Sequence, residues 1–265
     1  MLVGARPRLH HWVEGAGEDL VLIHGVGSGA EDWEGVAYHL TPQFRVLRYD
    51  LRGHGRSGAP PGPYGIEDFV ADLTDLMDQV GMARAHIAGF SLGGLIAQGM
   101  ALSHPGRVSR LALLSTVAGR TAEERARVEA RLDFIAQSHP ADYFDQSVAR
   151  WFSSGFREAN PSVVAERKAA VAAMDQAAYA AAYHALAHTD FGPQVSGIEA
   201  ETLVMTGEHD IGSNPRMARF MATTIPQARL RILPGLHHSI LLEAPDLVGP
   251  ALLAFFRDGA VEETA

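Results

Sequence analysis

The segment HIAGFSLGGLIAQGMA, residues 86–101, brings one serine and three glycines together where a strand should pass into a helix. The apolar residues before Gly89 are typical of a buried strand, and those after Gly94 are typical of a buried helix. A glycine inside either element costs about 0.5–1 kcal/mol relative to alanine. The cluster around Ser91 therefore predicts a backbone turn that ordinary side chains would obstruct.

Residues 89–93, GFSLG, fit the pattern G-x-S-x-G of a sharp turn that presents a serine above a sheet. This turn would place the Ser91 hydroxyl at the N-terminus of the next helix, where the Leu92 N–H and the helix dipole can stabilise an oxyanion. Ser91 is therefore the candidate nucleophile. The alternative is a glycine-rich helix start with Ser91 as an ordinary N-cap residue.

Short β-branched runs alternate with helical stretches along most of the chain. The predicted strands cover residues 20–24, 45–50, 85–88, 108–115, 202–206 and 230–233. Residues 7–13 alternate in the manner of an antiparallel edge strand or hairpin. The pattern predicts an α/β fold with a mostly parallel sheet of about eight strands flanked by helices.

One long segment, residues 118–195, contains no convincing buried strand. Thr121 and Glu124 form a capping-box signal, and much of the remainder is rich in alanine. Because the segment also carries several aromatic residues, it is not a flexible linker. We expect a core made of residues 1–117 and 196–265, with a helical cap inserted over 118–195.

Acid and base candidates follow predicted strands further along the chain. A serine hydroxyl is a weak nucleophile unless a histidine takes its proton and a carboxylate orients that histidine. Asp210 follows the strand over 202–206, and His238 follows the strand over 230–233. Because the carboxyl ends of strands form the ligand edge of open α/β sheets, both side chains are expected near Ser91. The alternatives are a turn role for Asp210 and a surface loop position for His238.

A second glycine-rich loop, residues 24–28 (HGVGS), follows the first predicted parallel strand. Its Val26 N–H is the candidate partner of the Leu92 N–H in an oxyanion hole. The alternative is an ordinary glycine-rich turn between a strand and a helix.

Together these motifs resemble the α/β-hydrolase superfamily over nearly the whole chain. Residues 49–57, YDLRGHGRS, are similar to a turn of that family, and His238 stands five residues before Glu243 in Glu-Ala-Pro, as the family's catalytic histidine does. This spacing favours His238 over His237. The resemblance implies acyl transfer to water by the serine, acid and histidine named above, with no cofactor and no metal.

Within the superfamily, the inserted segment most resembles the cap of 3-oxoadipate enol-lactonases. The similar positions are Arg150-Trp151-Phe152, Asn160-Pro161, Tyr179 and Asp190. The resemblance implies hydrolysis of an ester or lactone bond in a small, carboxylate-bearing substrate. Arg150 is then the expected carboxylate ligand, because a guanidinium binds a carboxylate bidentately. Trp151 is an expected substrate contact. The alternatives are an ion pair between Arg150 and Asp145, and a place for Trp151 in the core of the cap.

The same residues fit two further enzyme classes and one class that is not enzymatic. A carbon–carbon bond hydrolase of ring-fission products would use the same triad, as would a cofactor-free perhydrolase. A receptor with a vestigial triad is disfavoured, because all three residues and both oxyanion loops are present. Epoxide hydrolases and dehalogenases of similar fold use an aspartate at the position of this serine. The serine therefore argues against their chemistry.

Composition excludes several classes of partner. The 31 acidic residues against 22 basic ones give a net charge of −9, which opposes non-specific binding to nucleic acid or to an anionic membrane. The chain has no cysteine, so disulfides and thiolate sites are excluded. We expect neither a signal peptide nor a membrane span, which favours a cytoplasmic protein. An oligomer is compatible with the sequence.

Two further patterns are not expected to be binding sites. Residues 53–58, GHGRSG, fit G-x-G-x-x-G, but the prolines within 59–63 prevent the helix that a dinucleotide site needs. Asp50 is expected to anchor this loop structurally. His184 and His188 lie four residues apart on a predicted helix, but no third ligand is near them in the sequence, so we expect solvent-facing histidines.

Overall fold

The computed structural model of the protein describes residues 6–260. Seven strands form one sheet in the order β1-β3-β2-β4-β5-β6-β7. The strands are β1 (His11–Glu14), β2 (Glu18–Ile23), β3 (Phe44–Tyr49), β4 (Ala85–Phe90), β5 (Val108–Leu114), β6 (Glu201–Gly207) and β7 (Ala228–Leu233). β1 pairs antiparallel with β3, and all the other pairs are parallel. The mostly parallel α/β sheet is confirmed.

Helices lie between most of these strands and after the last one. The α-helices are α1 (Glu34–Leu40), α2 (Ile66–Gln79), α3 (Leu92–Ser103), α4 (Ala122–Gln137), α5 (Pro140–Trp151), α6 (Ser154–Ala159), α7 (Pro161–Ala172), α8 (Gln176–His188), α9 (Pro215–Thr224), α10 (Ile240–Glu243) and α11 (Pro245–Asp258). Short 3-10 helices occupy Ala30–Trp33, Pro105–Arg107 and Val195–Gly197.

The strand count corrects the expectation of about eight strands, since seven strands are found within residues 6–260. At the N-terminal edge, the antiparallel edge strand that was one of the two expectations is found as β1, and the chain before it binds a loop. The Gly58 N–H donates to the Arg8 carbonyl at 3.1 Å, and the Asp50 N–H donates to the His10 carbonyl at 2.9 Å. These bonds hold the chain before β1 against the residues that follow β3.

Apolar side chains cover both faces of the sheet, as expected for parallel strands. One core cluster joins the sheet to α2, α3 and α9, and the other joins it to α1, α10 and α11. All six residues of β4 are buried, and β4 lies between β2 and β5. The carboxyl end of this central strand is therefore held from both sides, which suits a position that must be fixed.

The five helices α4–α8 all lie between β5 and β6, in the segment expected to be the cap. The capping box at Thr121 and Glu124 begins α4, as the sequence predicted. These helices have an apolar cluster of their own, which includes Tyr143, Phe152 and Tyr179. The insertion is thus a packed unit that lies beside the carboxyl edge of the sheet.

Candidate active site

Ser91 lies in strained backbone geometry between β4 and α3, with φ 55° and ψ −115°. For a residue with a side chain this conformation costs about 1–3 kcal/mol, so neighbouring structure must enforce it. The Ser91 N–H donates to the Leu114 carbonyl at 2.9 Å, and the Thr116 hydroxyl donates to the Ser91 carbonyl at 2.7 Å. Bonds to β5 and the residues after it therefore hold the serine in place.

The glycines around Ser91 have a steric explanation. A Cβ on Gly89 would collide with the carbonyl of Gly93, and a Cβ on Gly93 would lie 2.7 Å from the His24 carbonyl oxygen. Because backbone atoms cannot move away as a flexible side chain can, both positions require glycine. The pattern G-x-S-x-G thus follows from close packing of α3 against β4 and the end of β2.

Asp210 and His238 form a hydrogen-bonded pair. The Nδ1 atom of His238 lies 2.7 Å from the Asp210 Oδ2 atom. The other oxygen of Asp210 accepts the N–H groups of Gly212 and Ser213, each at 2.9 Å. Asp210 is buried, so its carboxylate has a fixed direction and can hold the imidazole in one tautomer, with the proton on Nδ1 and the Nε2 atom free.

Ser91, Asp210 and His238 line one cavity between the sheet and the helical insertion. They follow β4, β6 and β7, whose carboxyl ends lie on one edge of the sheet with β5 between β4 and β6, so the sheet brings them to one cavity. The Phe90 ring lies 5.0 Å from the His238 ring, centroid to centroid, and supports the imidazole from one side. The arrangement can present a serine hydroxyl to a histidine whose orientation a carboxylate fixes.

The backbone N–H groups of Val26 and Leu92 make no hydrogen bond within residues 6–260. Leu92 begins α3, where helical N–H groups lack partners within the helix. Val26 lines the cavity. Both donors are thus available to an oxygen atom that is bound next to the serine.

Two buried histidines hold the loop that carries Val26. His54 Nε2 accepts the Gly27 N–H at 3.2 Å, and His24 Nδ1 lies 2.7 Å from the Gly25 carbonyl. Burial lowers the pKa of each histidine to about 3. Both rings therefore stay neutral at ordinary pH, and each keeps an acceptor nitrogen for a backbone N–H.

The cavity is rich in arginine, although the whole chain is acidic. The arginines that line it are Arg120, Arg127, Arg131, Arg150 and Arg167, and the carboxylates that line it are Asp32, Glu124 and Asp210. All five arginines come from the segment 118–195. The insertion therefore supplies positive charge that faces the nucleophile candidate.

Three of these arginines have partners of their own. Arg167 pairs with Asp32 at 2.9 Å, and Arg127 pairs with Glu123 at 3.2 Å. Arg120 donates to the carbonyls of Leu186, Ala187 and Thr189 at the end of α8. These three side chains therefore serve the attachment and shape of the insertion.

Arg131 and Arg150 have no ion pair within the residues that the structure describes. Arg150 donates through Nη2 to the Ser147 hydroxyl at 2.6 Å. The alternative pairing of Arg150 with Asp145 is wrong, because Lys168 binds the Asp145 carboxylate at 2.7 Å. Arg150 thus lines the cavity with most of its donors unused.

Trp151 lines the cavity and packs edge-on against Tyr143 and Phe144, so its ring serves both the cavity wall and the core of the insertion. Its carbonyl accepts the N–H of Ser239, the residue after His238, at 2.9 Å. Two residues further on, the Ser153 hydroxyl donates to Glu243 at 2.7 Å. The insertion is therefore attached directly to the loop that carries the imidazole.

The patterns set aside in the sequence have structural explanations. Asp50 anchors the loop after β3, because its carboxylate accepts the N–H groups of Ala30 and Arg56. The His184 and His188 rings lie 4.1 Å apart, and no metal-binding group of three or more such side chains is found within residues 6–260. Over the same residues, no helix has the length and apolarity to cross a membrane.

Sequence reasoning identified Arg150 and missed the other cavity arginines. Arg127 and Arg131 are four residues apart on α4, a spacing that places two side chains on the same helix face. That spacing was a usable signal once α4 was predicted. Arg167 on α7 gave no such signal, because its approach to Asp32 depends on how the helices pack.

Comparison with known proteins identifies relatives across nearly the whole chain. A family model described as the alpha/beta hydrolase fold matches residues 20–245. The (E)-2-((N-methylformamido)methylene)succinate hydrolase of Acinetobacter baylyi is 31% identical over 249 residues, which cover 93% of each chain.

Solved structures agree with this assignment. The enol-lactonase from Burkholderia xenovorans LB400 superposes with a TM-score of 0.89 at 30% identity and covers 97% of this chain and 99% of its own. A thermophilic esterase from Thermogutta terrifontis, solved with malate bound, superposes with a TM-score of 0.87 at 25% identity, over 95% of this chain and 93% of its own.

Proposed function

We propose that this chain, which belongs to the alpha/beta hydrolase fold family, is a serine hydrolase that cleaves the ester or lactone bond of a small, carboxylate-bearing substrate. One observation carries the proposal. Ser91, in its strained turn, shares a cavity with an imidazole that is hydrogen-bonded to a buried carboxylate. This is the set of groups that nucleophilic acyl transfer needs.

In the proposed reaction, His238 Nε2 takes the proton of the Ser91 hydroxyl while Oγ attacks the carbonyl carbon of the substrate. The carbonyl oxygen becomes an oxyanion and accepts the N–H groups of Val26 and Leu92. Asp210 stabilises the imidazolium that forms. The carbon–oxygen bond then breaks, and the leaving oxygen takes the proton from His238. A water molecule, activated by the same imidazole, hydrolyses the acyl-enzyme and restores Ser91.

The charge of the cavity supports a substrate with a carboxylate. Of the five cavity arginines, three have an ion pair or several carbonyl partners within the described chain. Arg131 and Arg150 do not, and a bound anion would accept hydrogen bonds from their guanidinium groups. Two relatives agree by name, since one is a hydrolase of a substituted succinate and another was solved with malate. Both names denote dicarboxylates.

The helical insertion acts, in this proposal, as a cap over residues 118–195 that completes the site from above the sheet. It supplies Arg150 and Trp151 as substrate contacts, and its ion pair from Arg167 to Asp32 closes it onto the core. A cap of this kind limits the size of the substrate and keeps most bulk water away from the acyl-enzyme.

An activity panel tests the proposal. Purified protein is assayed with 4-nitrophenyl acetate, simple and carboxylated lactones, and a ring-fission diketone. We expect ester and lactone hydrolysis that Ser91→Ala lowers by several orders of magnitude. Ser103→Ala, at the exposed end of the same helix, is the matched control and should keep full activity. Cleavage of the diketone without hydrolysis of any ester or lactone would instead establish a carbon–carbon bond hydrolase.

Arg150→Ala tests the carboxylate assignment. We expect KM for a carboxylated lactone to rise at least about tenfold, because a charged hydrogen-bond partner is lost, while KM for its neutral methyl ester barely changes. Arg127→Ala removes an arginine already paired with Glu123 and serves as the control. Equal changes for both substrates would make Arg150 a structural residue.

A further inference from the structure

The hydroxyl of Tyr179 is buried without a hydrogen-bond partner. Within residues 6–260, other buried side-chain polar atoms also lack a partner, but Tyr179 is the one residue among them that lines the cavity. The Tyr179 side chain is 1% exposed. Since buried polar groups in folded proteins are nearly always hydrogen-bonded, this exception at the candidate site indicates that something else satisfies it.

The Tyr179 hydroxyl is close to the loop that carries the proposed oxyanion donor. Its Oη atom lies 3.3 Å from the point where a Cβ of Gly27 would stand. At the other end of the same short loop, the Ser91 Oγ atom lies 3.3 Å from the corresponding point on Gly25. The hydroxyls of Ser91 and Tyr179 therefore lie near the two ends of this short loop, Gly25 and Gly27.

Arginines and two further tyrosines, Tyr143 and Tyr183, act on this hydroxyl. The charges of Arg167 and Arg150 act on it from the insertion, and the ring of Tyr143 lies 5.8 Å from its own ring, centroid to centroid. Burial raises the pKa of Tyr179 well above its ordinary value, so the hydroxyl stays protonated and can donate. A donor close to the guanidinium of Arg150 needs an acceptor, and an anionic oxygen is the acceptor that suits both groups.

We propose that the Tyr179 hydroxyl donates a hydrogen bond to the carboxylate of the bound substrate and, with Arg150, determines the preference for carboxylate-bearing esters and lactones. This inference rests on the proposed function and deepens it by naming a second specificity-determining residue. Its contribution differs from that of arginine. A neutral hydroxyl adds direction to the recognition of the anion, whereas the guanidinium supplies the charge.

Tyr179→Phe removes the oxygen and leaves the ring in its place against Gly27. The probes are mono-(4-nitrophenyl) glutarate and its neutral methyl ester, with release of nitrophenolate as the readout. We expect kcat/KM for the anionic ester to fall about tenfold to a hundredfold, mainly through KM, because a hydrogen bond to a charged group is lost. The methyl ester should change less than about threefold. Equal losses for both esters, or no loss for either, would overturn the assignment.

A binding experiment separates this inference from the hydrolytic function. Calorimetric titration of malate into the Ser91→Ala protein measures carboxylate binding without turnover, and adding Tyr179→Phe should weaken it about tenfold or more. Tyr64→Phe is the control, since the Tyr64 hydroxyl donates to the Pro60 carbonyl instead of facing the cavity.

Loss of malate affinity in a protein that hydrolyses none of the esters would support the Tyr179 assignment and reject the proposed reaction. If the protein hydrolyses the esters but Tyr179→Phe changes neither the ester selectivity nor the malate affinity, the proposed reaction is supported and the Tyr179 assignment is rejected. If malate does not bind and the ester preference is unchanged by Tyr179→Phe, the assignment is wrong.

Discussion

Asp210→Asn should nearly abolish turnover while leaving the fold intact. The hydrogen bonds around the carboxylate determine which way the amide of the asparagine is oriented. The Oδ1 atom of Asp210 accepts the N–H groups of Gly212 and Ser213, each at 2.9 Å. An asparagine keeps these two bonds only with its oxygen in that position. Its NH2 group then faces the Nδ1 atom of His238, 2.7 Å from where Oδ2 now lies.

The consequence is the wrong tautomer of histidine. An amide NH2 group is a donor, so Nδ1 must become the acceptor and the proton must move to Nε2. An Nε2 atom that carries a proton cannot take another from Ser91. We therefore expect kcat to fall about 10⁴-fold, the size of effect that this exchange of tautomers gives in a serine protease.

The assay is steady-state hydrolysis of 4-nitrophenyl acetate, with circular dichroism melting to show that the variant is folded. Glu208→Gln is the matched control, since the Glu208 carboxylate is exposed and binds the Gly235 N–H, away from the imidazole. It should retain nearly full activity. If Asp210→Asn kept more than about a tenth of kcat, or if Glu208→Gln lost most of it, the assignment of the acid would be refuted.

Two further predictions concern histidines. His238→Ala should lower kcat by orders of magnitude and His237→Ala only slightly, because His238 is the residue that binds Asp210; equal losses would contradict this choice. His54 should make the fold acid-sensitive. Burial lowers its pKa to about 3 in the folded chain, whereas the pKa is ordinary in the unfolded chain. Because the unfolded chain takes up the proton at a higher pH than the folded chain, the stability of the fold decreases as the pH drops below about 6.5. The free energy of unfolding, measured with urea, should decrease from pH 8 to pH 5 by about 2 kcal/mol less in His54→Gln than in wild type. His209→Gln, a control at an exposed position, should decrease as wild type does. The same acid sensitivity in His54→Gln and wild type would exclude this role.

The arrangement of the sheet and the position of the serine were predictable because they depend on local constraints. A backbone contact within the turn requires glycine at position 89, and the carbonyls at the end of β2 require it at position 93, so the pattern G-x-S-x-G is recognisable in the sequence. The acid and the imidazole each follow a strand, and parallel strands bring their carboxyl ends to one edge. Short-range patterns therefore predicted which residues meet there.

The contacts of the insertion were less predictable, because they depend on how helices pack. Nothing near Lys168 in the sequence indicates that it binds Asp145 and so leaves Arg150 without that partner. The sequence does not show that the Tyr179 hydroxyl lacks a partner either, since this depends on packing against residues far away in the chain, such as Gly27 and Tyr143. At the N-terminal edge, the local pattern left an edge strand and a hairpin both open, and the bonds of a distant loop to the Arg8 and His10 carbonyls were not predictable from it.

The most direct test of the account is covalent labelling of the nucleophile. The protein is treated with a fluorophosphonate, and intact-mass and peptide mass spectrometry locate the adduct while residual ester hydrolysis is followed in parallel. We predict one adduct per chain, on Ser91, and loss of hydrolysis in proportion to labelling, with His238→Ala labelled far more slowly. Hydrolysis that persists with Ser91 fully labelled, or inactivation that leaves Ser91 unmodified, would contradict the assignment.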